Sequence, residues 1–90
     1  MPGITRVGDS CTGHDDCDPR QSTSGSPNVF VNGIAVHRNG DAWSVHCDHD
    51  GELVSSSSTV FINGVGCGRI GDSISCGSTV ATGSDNVFAG

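Results

Sequence analysis

Apolar residues in this chain come in short alternating runs, and nowhere do they recur at the i, i+3, i+4, i+7 spacing of an amphipathic helix. Val29 and Val31 alternate with Phe30 and Asn32 in a β-rich run that ends on Asn32-Gly33, a strong hairpin-turn signal. Ile34 and Val36 then read as the return strand, ending near Arg38. The pattern returns with every position shifted by 31: Val60 to Ile62, a turn at Asn63-Gly64, then Val65 to Ile70. Gly40-Asp41 and Gly71-Asp72 are turn dipeptides that close each hairpin. Pro27 stands just before the first strand, where its missing N–H does little harm. Ser24-Gly25-Ser26, Ser55 to Ser58 and Thr82-Gly83-Ser84 are polar leads into each Val-Phe strand. They recur in register with the repeat, so they read as tight connections within the fold and not as flexible linkers.

The repeat extends to both ends of the chain. Arg38-Asn39-Gly40-Asp41 and Arg69-Ile70-Gly71-Asp72 have a third counterpart in Arg6-Val7-Gly8-Asp9. The Asn28-Val29-Phe30 beginning has a third counterpart in Asn86-Val87-Phe88-Ala89-Gly90. One supersecondary unit used about three times predicts an all-β, pseudo-threefold object, which suits a threefold partner.

Composition changes this picture in one respect. Residues 1–90 amount to a single small domain with a thin core, since only 33% of its residues are apolar and 14 are Gly. Such a domain needs a staple, and five Cys and four His are the obvious supply. An odd Cys count without a signal peptide fits metal ligands or unpaired thiols better than a disulfide framework; no basic segment followed by an apolar stretch opens the chain. The net charge of −6 with four Lys plus Arg argues against nucleic acid as a partner. No run of 18 apolar residues is present to span a membrane.

The polar chemistry follows the Gly-Asp turns. His14 and His46 each lie five residues past their Asp, and Cys76 lies four past its own. If the three units are related by a threefold, these side chains come from equivalent loops and converge on one axis. His49, three residues after His46, can reach the same point. His14, His46, His49 and Cys76 then form a closed set of three nitrogens and one sulfur, which suits a structural zinc ion. Any one of these residues taken alone is more often a surface His or a small buried Cys; their equivalent placement carries the case. Cys11, Cys17 and Cys47 are near enough to compete as ligands, or to pair if oxidised. His37 lies on the strand side of Arg38, away from the loops, and Cys67 takes the place of Val36, which makes it core. Arg6, Arg38 and Arg69 read as repeated ion pairs at the corner of each unit, with contacts to a partner's carboxylates as the alternative. Asp9, Asp41 and Asp72 read as turn residues. Asp15, Asp16, Asp48 and Asp50 flank the His residues, but no nucleophile with a base stands in a recognisable motif.

The pattern strand, Asn-Gly, strand, Arg-x-Gly-Asp, followed by a His or Cys loop, resembles the PAAR-repeat proteins. His46-Cys47-Asp48-His49-Asp50-Gly51 is similar to that family's loop of Cys or His followed three residues later by His, and Ile74-Ser75-Cys76-Gly77-Ser78 resembles the Cys-Gly after its last Gly-Asp. Of the namesake Pro-Ala-Ala-Arg only the Arg remains, in Gly3-Ile4-Thr5-Arg6, Ala35-Val36-His37-Arg38 and Gly66-Cys67-Gly68-Arg69, and Cys17 to Ser22 lengthen the first loop. The resemblance covers nearly the whole chain and is greatest to compact, phage-type members without extension domains. It implies a small cone of β-hairpins with zinc near the apex, docked by its base on a trimeric β-helical spike, either a phage tail spike or a VgrG-like protein of type VI secretion. One tip sits on each trimer and sharpens it for membrane puncture. The expected role is therefore mechanical and non-enzymatic, with Phe30, Phe61 and Phe88 in the core or on the docking face. The expected location is a virion, or a cytoplasmic assembly that an injection machine delivers outside the cell. A small zinc hydrolase with Asp48 or Asp50 as base, and a disulfide-stapled binding module, are the rival readings.

Overall fold

The computed structural model describes residues 2–13, 19–46 and 49–90, and these are all-β with no helix among them. Three antiparallel hairpins are formed: β1 (Phe30–Val31) with β2 (Ile34–Ala35), β3 (Ala42–His46) with β4 (His49–Glu52), and β5 (Phe61–Ile62) with β6 (Val65–Gly66). In the first and third, Asn32 and Asn63 both have φ of 56°, followed by Gly33 at 78° and Gly64 at 80°. Both central residues are left-handed, as a two-residue turn matched to strand twist requires, and Asn-Gly is the pair that tolerates it best.

A third copy of the β1–β2 hairpin is assembled from the two ends of the chain. Phe88 pairs with Gly3 just as Phe30 pairs with Ala35 and Phe61 with Gly66. The Ala89 amide donates to the Pro2 carbonyl at 3.0 Å. The return strands expected to reach Arg38 and Ile70 stop after Ala35 and Gly66. At the next residue each segment keeps one hydrogen bond to its own hairpin, Val36 to Val29, Cys67 to Val60 and Ile4 to Val87, at 3.0 to 3.1 Å, while Arg6–Val36, Arg38–Cys67 and Ile4–Arg69 bridges join it to a neighbouring unit. Closing a threefold with short strands demands this exchange, and it leaves few long ladders.

At the centre is a ring of three backbone hydrogen bonds. The Thr5 amide donates to Gly68, Gly68 to His37, and His37 to Thr5, at 3.0, 2.9 and 3.0 Å. These three residues precede Arg6, Arg69 and Arg38 in equivalent positions, so the ring marks the pseudo-threefold axis. The side chains in the ring are unequal and complementary: a Cβ at Gly68 would lie 2.7 Å from Thr5 Cγ2 and 2.8 Å from Leu53 Cδ2. The absent side chain of Gly68 makes room for the Thr5 methyl and Leu53, and its backbone passes close to the His37 carbonyl. On one side of the ring Ile4, Val31, Val36, Cys67 and Ala89 form one core cluster. On the other, Cys11, Trp43, Leu53, Ile74 and Val80 form a second. We call the first end the base and the second the apex. The molecule measures 32 × 23 × 23 Å, one long axis and two equal short ones, as a threefold about the long axis requires.

The polar leads hold the units together. Ser26 Oγ accepts from the Asn28 and Val29 amides, Ser57 Oγ from Thr59 and Val60, and Ser84 Oγ from Asn86 and Val87. Two residues earlier, the hydroxyls of Ser24, Ser55 and Thr82 donate to Asp41, Asp72 and Asp9 at 3.2, 3.2 and 3.0 Å. As connections inside the fold they fill donor and acceptor needs that a thin core leaves exposed.

Candidate functional site

Each Gly-Asp turn closes on its Arg. Arg6 Nε lies 2.9 Å from Asp9 Oδ2, Arg38 Nε 2.8 Å from Asp41 Oδ2, and Arg69 Nη2 2.8 Å from Asp72 Oδ1. In every case the same Asp also accepts from the Arg backbone amide, at 2.8 to 2.9 Å. The Asp residues are thus turn-forming acceptors, and the Arg residues are corner ion pairs, as the repeat implied. Asp41 shows the balance of forces: burial pushes its carboxyl pKa up, but hydrogen bonds from the Arg38 side chain and amide, with the Arg38 charge, bring it below the ordinary value. Asp-bound Arg38 is correspondingly raised.

Between each Asp and the next shared strand the three units diverge, and this is where the apex is built. Segments 10–21, 42–52 and 73–79 leave from equivalent Asp residues and return to equivalent points. The Ser22, Leu53 and Val80 amides donate to the Asp9, Asp41 and Asp72 carbonyls at 3.0, 3.1 and 2.9 Å. The middle segment forms the β3–β4 hairpin, where a loop was expected. Its register pairs His46 with His49 across the two strands, with an irregularity between Trp43 and His46. Two of the four candidate ligands are therefore carried on directly opposed backbone positions.

The third segment lies against that hairpin. Leu53 bridges Ile74, the Ser75 amide donates to the Glu52 carbonyl at 2.9 Å, and the Glu52 amide donates to Ser75 Oγ at 3.1 Å. Cys76 is carried to the same place: a Cβ at Gly51 would lie 3.6 Å from Cys76 Sγ. Its sulfur is half-buried and 3.1 Å from Ser78 Oγ. The first segment runs alongside, with Cys11 bridged to Val80 and the Thr12 amide donating to the Thr79 carbonyl at 2.8 Å. His14, which continues that segment, lies outside the described residues, as do Cys17, Cys47, Asp15, Asp16 and Asp48. Among the described residues no group of three or more His, Cys, Asp and Glu is placed to hold a metal ion.

The other Cys residues separate from Cys76 by environment. Cys67 is fully buried in the base cluster, and burial pushes its thiol up to about 11, against the pull of Arg69. A thiol held that far from ionisation is core, as its equivalence with Val36 implied. Cys11 is buried in the apex cluster, where its sulfur accepts from the Arg20 amide at 3.2 Å.

His37 is also not a loop residue. It is fully buried on the axis, its Nδ1 donates to the Ser24 carbonyl at 2.8 Å, and its ring meets Trp43 edge-on, 5.2 Å between centroids. Burial lowers its pKa, with the Ser24 hydrogen bond opposing. Sequence reasoning placed it away from the loops but missed its position in the central ring. The signal was present: Thr5, His37 and Gly68 each precede the repeated Arg, and one large, one medium and one absent side chain at equivalent positions mark a shared axial layer.

At the opposite end, the repeated Phe residues point outward. Phe30 and Phe61 are each 58% exposed and Phe88 48%, while the neighbouring Val31 and Ala89 are buried. The choice left open between core and docking face is resolved toward the surface. The backbone alternates at these positions, so burying Val31 and Ala89 turns the preceding Phe out.

No curated protein matches the chain. The sequence model described as PAAR motif matches residues 12–82. That span takes in two complete corners, two apical segments and most of the third, so the chain belongs to the PAAR motif family, whose members are structural tips associating with spikes such as VgrG in contractile injection machines.

Proposed function

We propose that this chain, as a single domain over residues 1–90, caps and sharpens the trimeric β-helical central spike of a phage tail or a type VI secretion machine for membrane puncture, with one tip per trimer. The observation that carries this reading is the exposed Phe triad. Three large aromatic side chains at equivalent positions of a pseudo-threefold surface are unusual to leave in water, and a partner with the same symmetry covers all three at once. The short hairpins at the base also present unpaired edges that a β-helical end covers. The role is mechanical and non-enzymatic. Its place is a virion tail tip, or a cytoplasmic assembly delivered outside the cell.

The apex is proposed as a structural zinc centre held by His14, His46, His49 and Cys76. The residues present fit such a group in two ways: β3–β4 register sets His46 opposite His49, and Cys76 is seated against that hairpin away from the buried Cys67. Imidazole and thiolate donors are the set zinc prefers. When bound, zinc cross-links the apical segments and adds roughly 10–16 kcal/mol of apparent folding energy. The chain's own contribution is to bring the three segments together on the Leu53, Ile74 and Val80 cluster.

Docking is tested by replacing Phe30, Phe61 and Phe88 with Asp and measuring co-purification with the spike trimer. The side chains are exposed, so the variant is expected to fold and to lose the complex. A folded variant that still binds as the parent does would sink the docking assignment.

A further inference from the structure

The three corners at the rim of the base are built alike, except one. At the first, Arg6 Nη1 donates to Asn32 Oδ1 at 3.2 Å, Ser84 Oγ donates to the same oxygen at 2.8 Å, and Asn32 Nδ2 donates to Asn86 Oδ1 at 3.0 Å. At the second, Arg38 Nη1 donates to Asn63 Oδ1 at 3.3 Å, Ser26 Oγ to the same oxygen at 2.6 Å, and Asn63 Nδ2 to Asn28 Oδ1 at 2.8 Å. Each unit thus grips the turn of the next through one side-chain amide oxygen that serves both an Arg and a Ser.

At the third corner the equivalent of Asn32 and Asn63 is Gly90, and the equivalent of Asn28 and Asn86 is Thr59. Ser57 Oγ turns to the Gly90 carbonyl, and Thr59 Oγ1 donates to the same oxygen at 3.3 Å. Arg69 holds Asp72 through Nε at 3.1 Å and Nη2 at 2.8 Å, as its counterparts do. Its Nη1 has no counterpart to the Asn oxygen. Its side chain is 22% exposed, close to the 18% and 20% of Arg6 and Arg38. The guanidinium is therefore oriented and partly desolvated like theirs, but its Nη1 meets no acceptor among the described residues.

Resting on the docking reading above, we propose that Arg69 is a recognition residue for the spike: its Nη1 takes a side-chain amide or carboxylate oxygen from one of the three spike protomers, in the place where Asn32 and Asn63 serve the other corners. A preorganised guanidinium fork loses little freedom in making that bond, which suits it to an interface. The chain is acidic, with a net charge of −6, so this cation is among the few it presents at the rim. The tip thereby meets a symmetric trimer with two closed corners and one open one.

The test fills the corner from within. The double variant Thr59→Asn/Gly90→Asn restores the residues of the other corners and leaves Arg69 and all three Phe in place. Its melting temperature is expected to rise, and its affinity for the trimeric spike to fall by roughly tenfold, the worth of one charge-assisted hydrogen bond. A raised melting temperature with unchanged affinity would overturn the proposal. Single Arg→Gln changes provide the second arm. Arg69→Gln should weaken docking more than Arg6→Gln or Arg38→Gln, whose Nη1 groups are engaged internally, and equal docking losses in all three would also overturn it. If the parent chain binds no spike trimer, the docking reading itself falls; if it binds and only these variants fail to differ, the corner alone falls.

Discussion

The two ends of this molecule use the same repeat for opposite purposes. At the base the three units are close copies, each with an outward Phe, a Ser cap and an Arg–Asp ion pair, differing at the corner where Thr59 and Gly90 stand in place of Asn. At the apex they diverge in length and composition, and the axial layers mix Cys11 with Trp43 and Ile74, and Ser22 with Leu53 and Val80. Repetition builds a surface of the kind a symmetric partner would fit, as proposed above. Departure from repetition gathers unlike side chains on one axis, which a metal centre with a mixed donor set needs. The central ring of Thr5, His37 and Gly68 is where one regime passes into the other: its backbone is symmetric and its side chains are not.

That contrast can be broken at each end. Removing zinc with a chelator, or replacing Cys76 with Ser, is expected to have the largest effect. Hydrogen exchange should quicken first at residues 42–53 and 73–80 and last at 28–38, because the proposed zinc centre ties only the apex. Unchanged protection at residues 42–53 and 73–80 would argue against a metal centre there.

Next is Arg69→Ala. It strips the partner from Asp72, whose side chain is only 6% exposed, and should cost about 3 kcal/mol by chemical denaturation. Because the corner is a base feature, zinc content should not change.

Ser26→Ala removes a hydroxyl that accepts from two backbone amides and donates across the Arg38 corner, and should cost about 1–2 kcal/mol. A cost below 0.5 kcal/mol, the range of ordinary surface substitutions, would argue that the polar leads are incidental.

Acid sensitivity is expected from His37. Its folded pKa lies below the unfolded value because burial disfavours the imidazolium. The unfolded state then binds the proton more readily, so stability is full above about pH 6.5 and declines as pH falls through that value toward the folded pKa. Asp41 has the same sign, with its loss beginning near its own unfolded value of about 3.9. Replacing His37 with Leu should flatten the first of these declines in a pH series of denaturation curves, leaving the second.

The smallest effect is Cys67→Val, which makes the layer match Val36 and should stay within about 1.5 kcal/mol.

How much of this was legible follows the same division. The hairpin turns were legible because Asn32-Gly33 and Asn63-Gly64 are chemically committed to left-handed backbone, and the corners because Arg and Asp recur three apart at a fixed offset. The assembly of a third hairpin from Gly3 and Phe88 was legible only as a fragment of repeat, since the pairing is between the two ends of the chain. Strand lengths were overestimated: apolar residues 36 and 67 continue the pattern, but tertiary closure passes them to the next unit. The β3–β4 hairpin was missed because Ala42 to His46 alternates weakly and lacks an Asn-Gly turn. Of the candidate site, Cys76 lies against β4 beside Gly51 and the backbones of His46 and His49 are paired, but His14 lies outside the described residues, so the four-residue set remains a proposal. The outward Phe triad could not be read from alternation alone, because period two gives two faces without saying which is buried.

The central claim, a symmetric base for docking and a broken apex for metal, is tested most directly by native mass spectrometry of the tip mixed with the trimeric spike from the same source. The account predicts a complex of one tip chain, three spike chains and one zinc ion. A folded tip that carries no metal, or that forms no such complex, would contradict it.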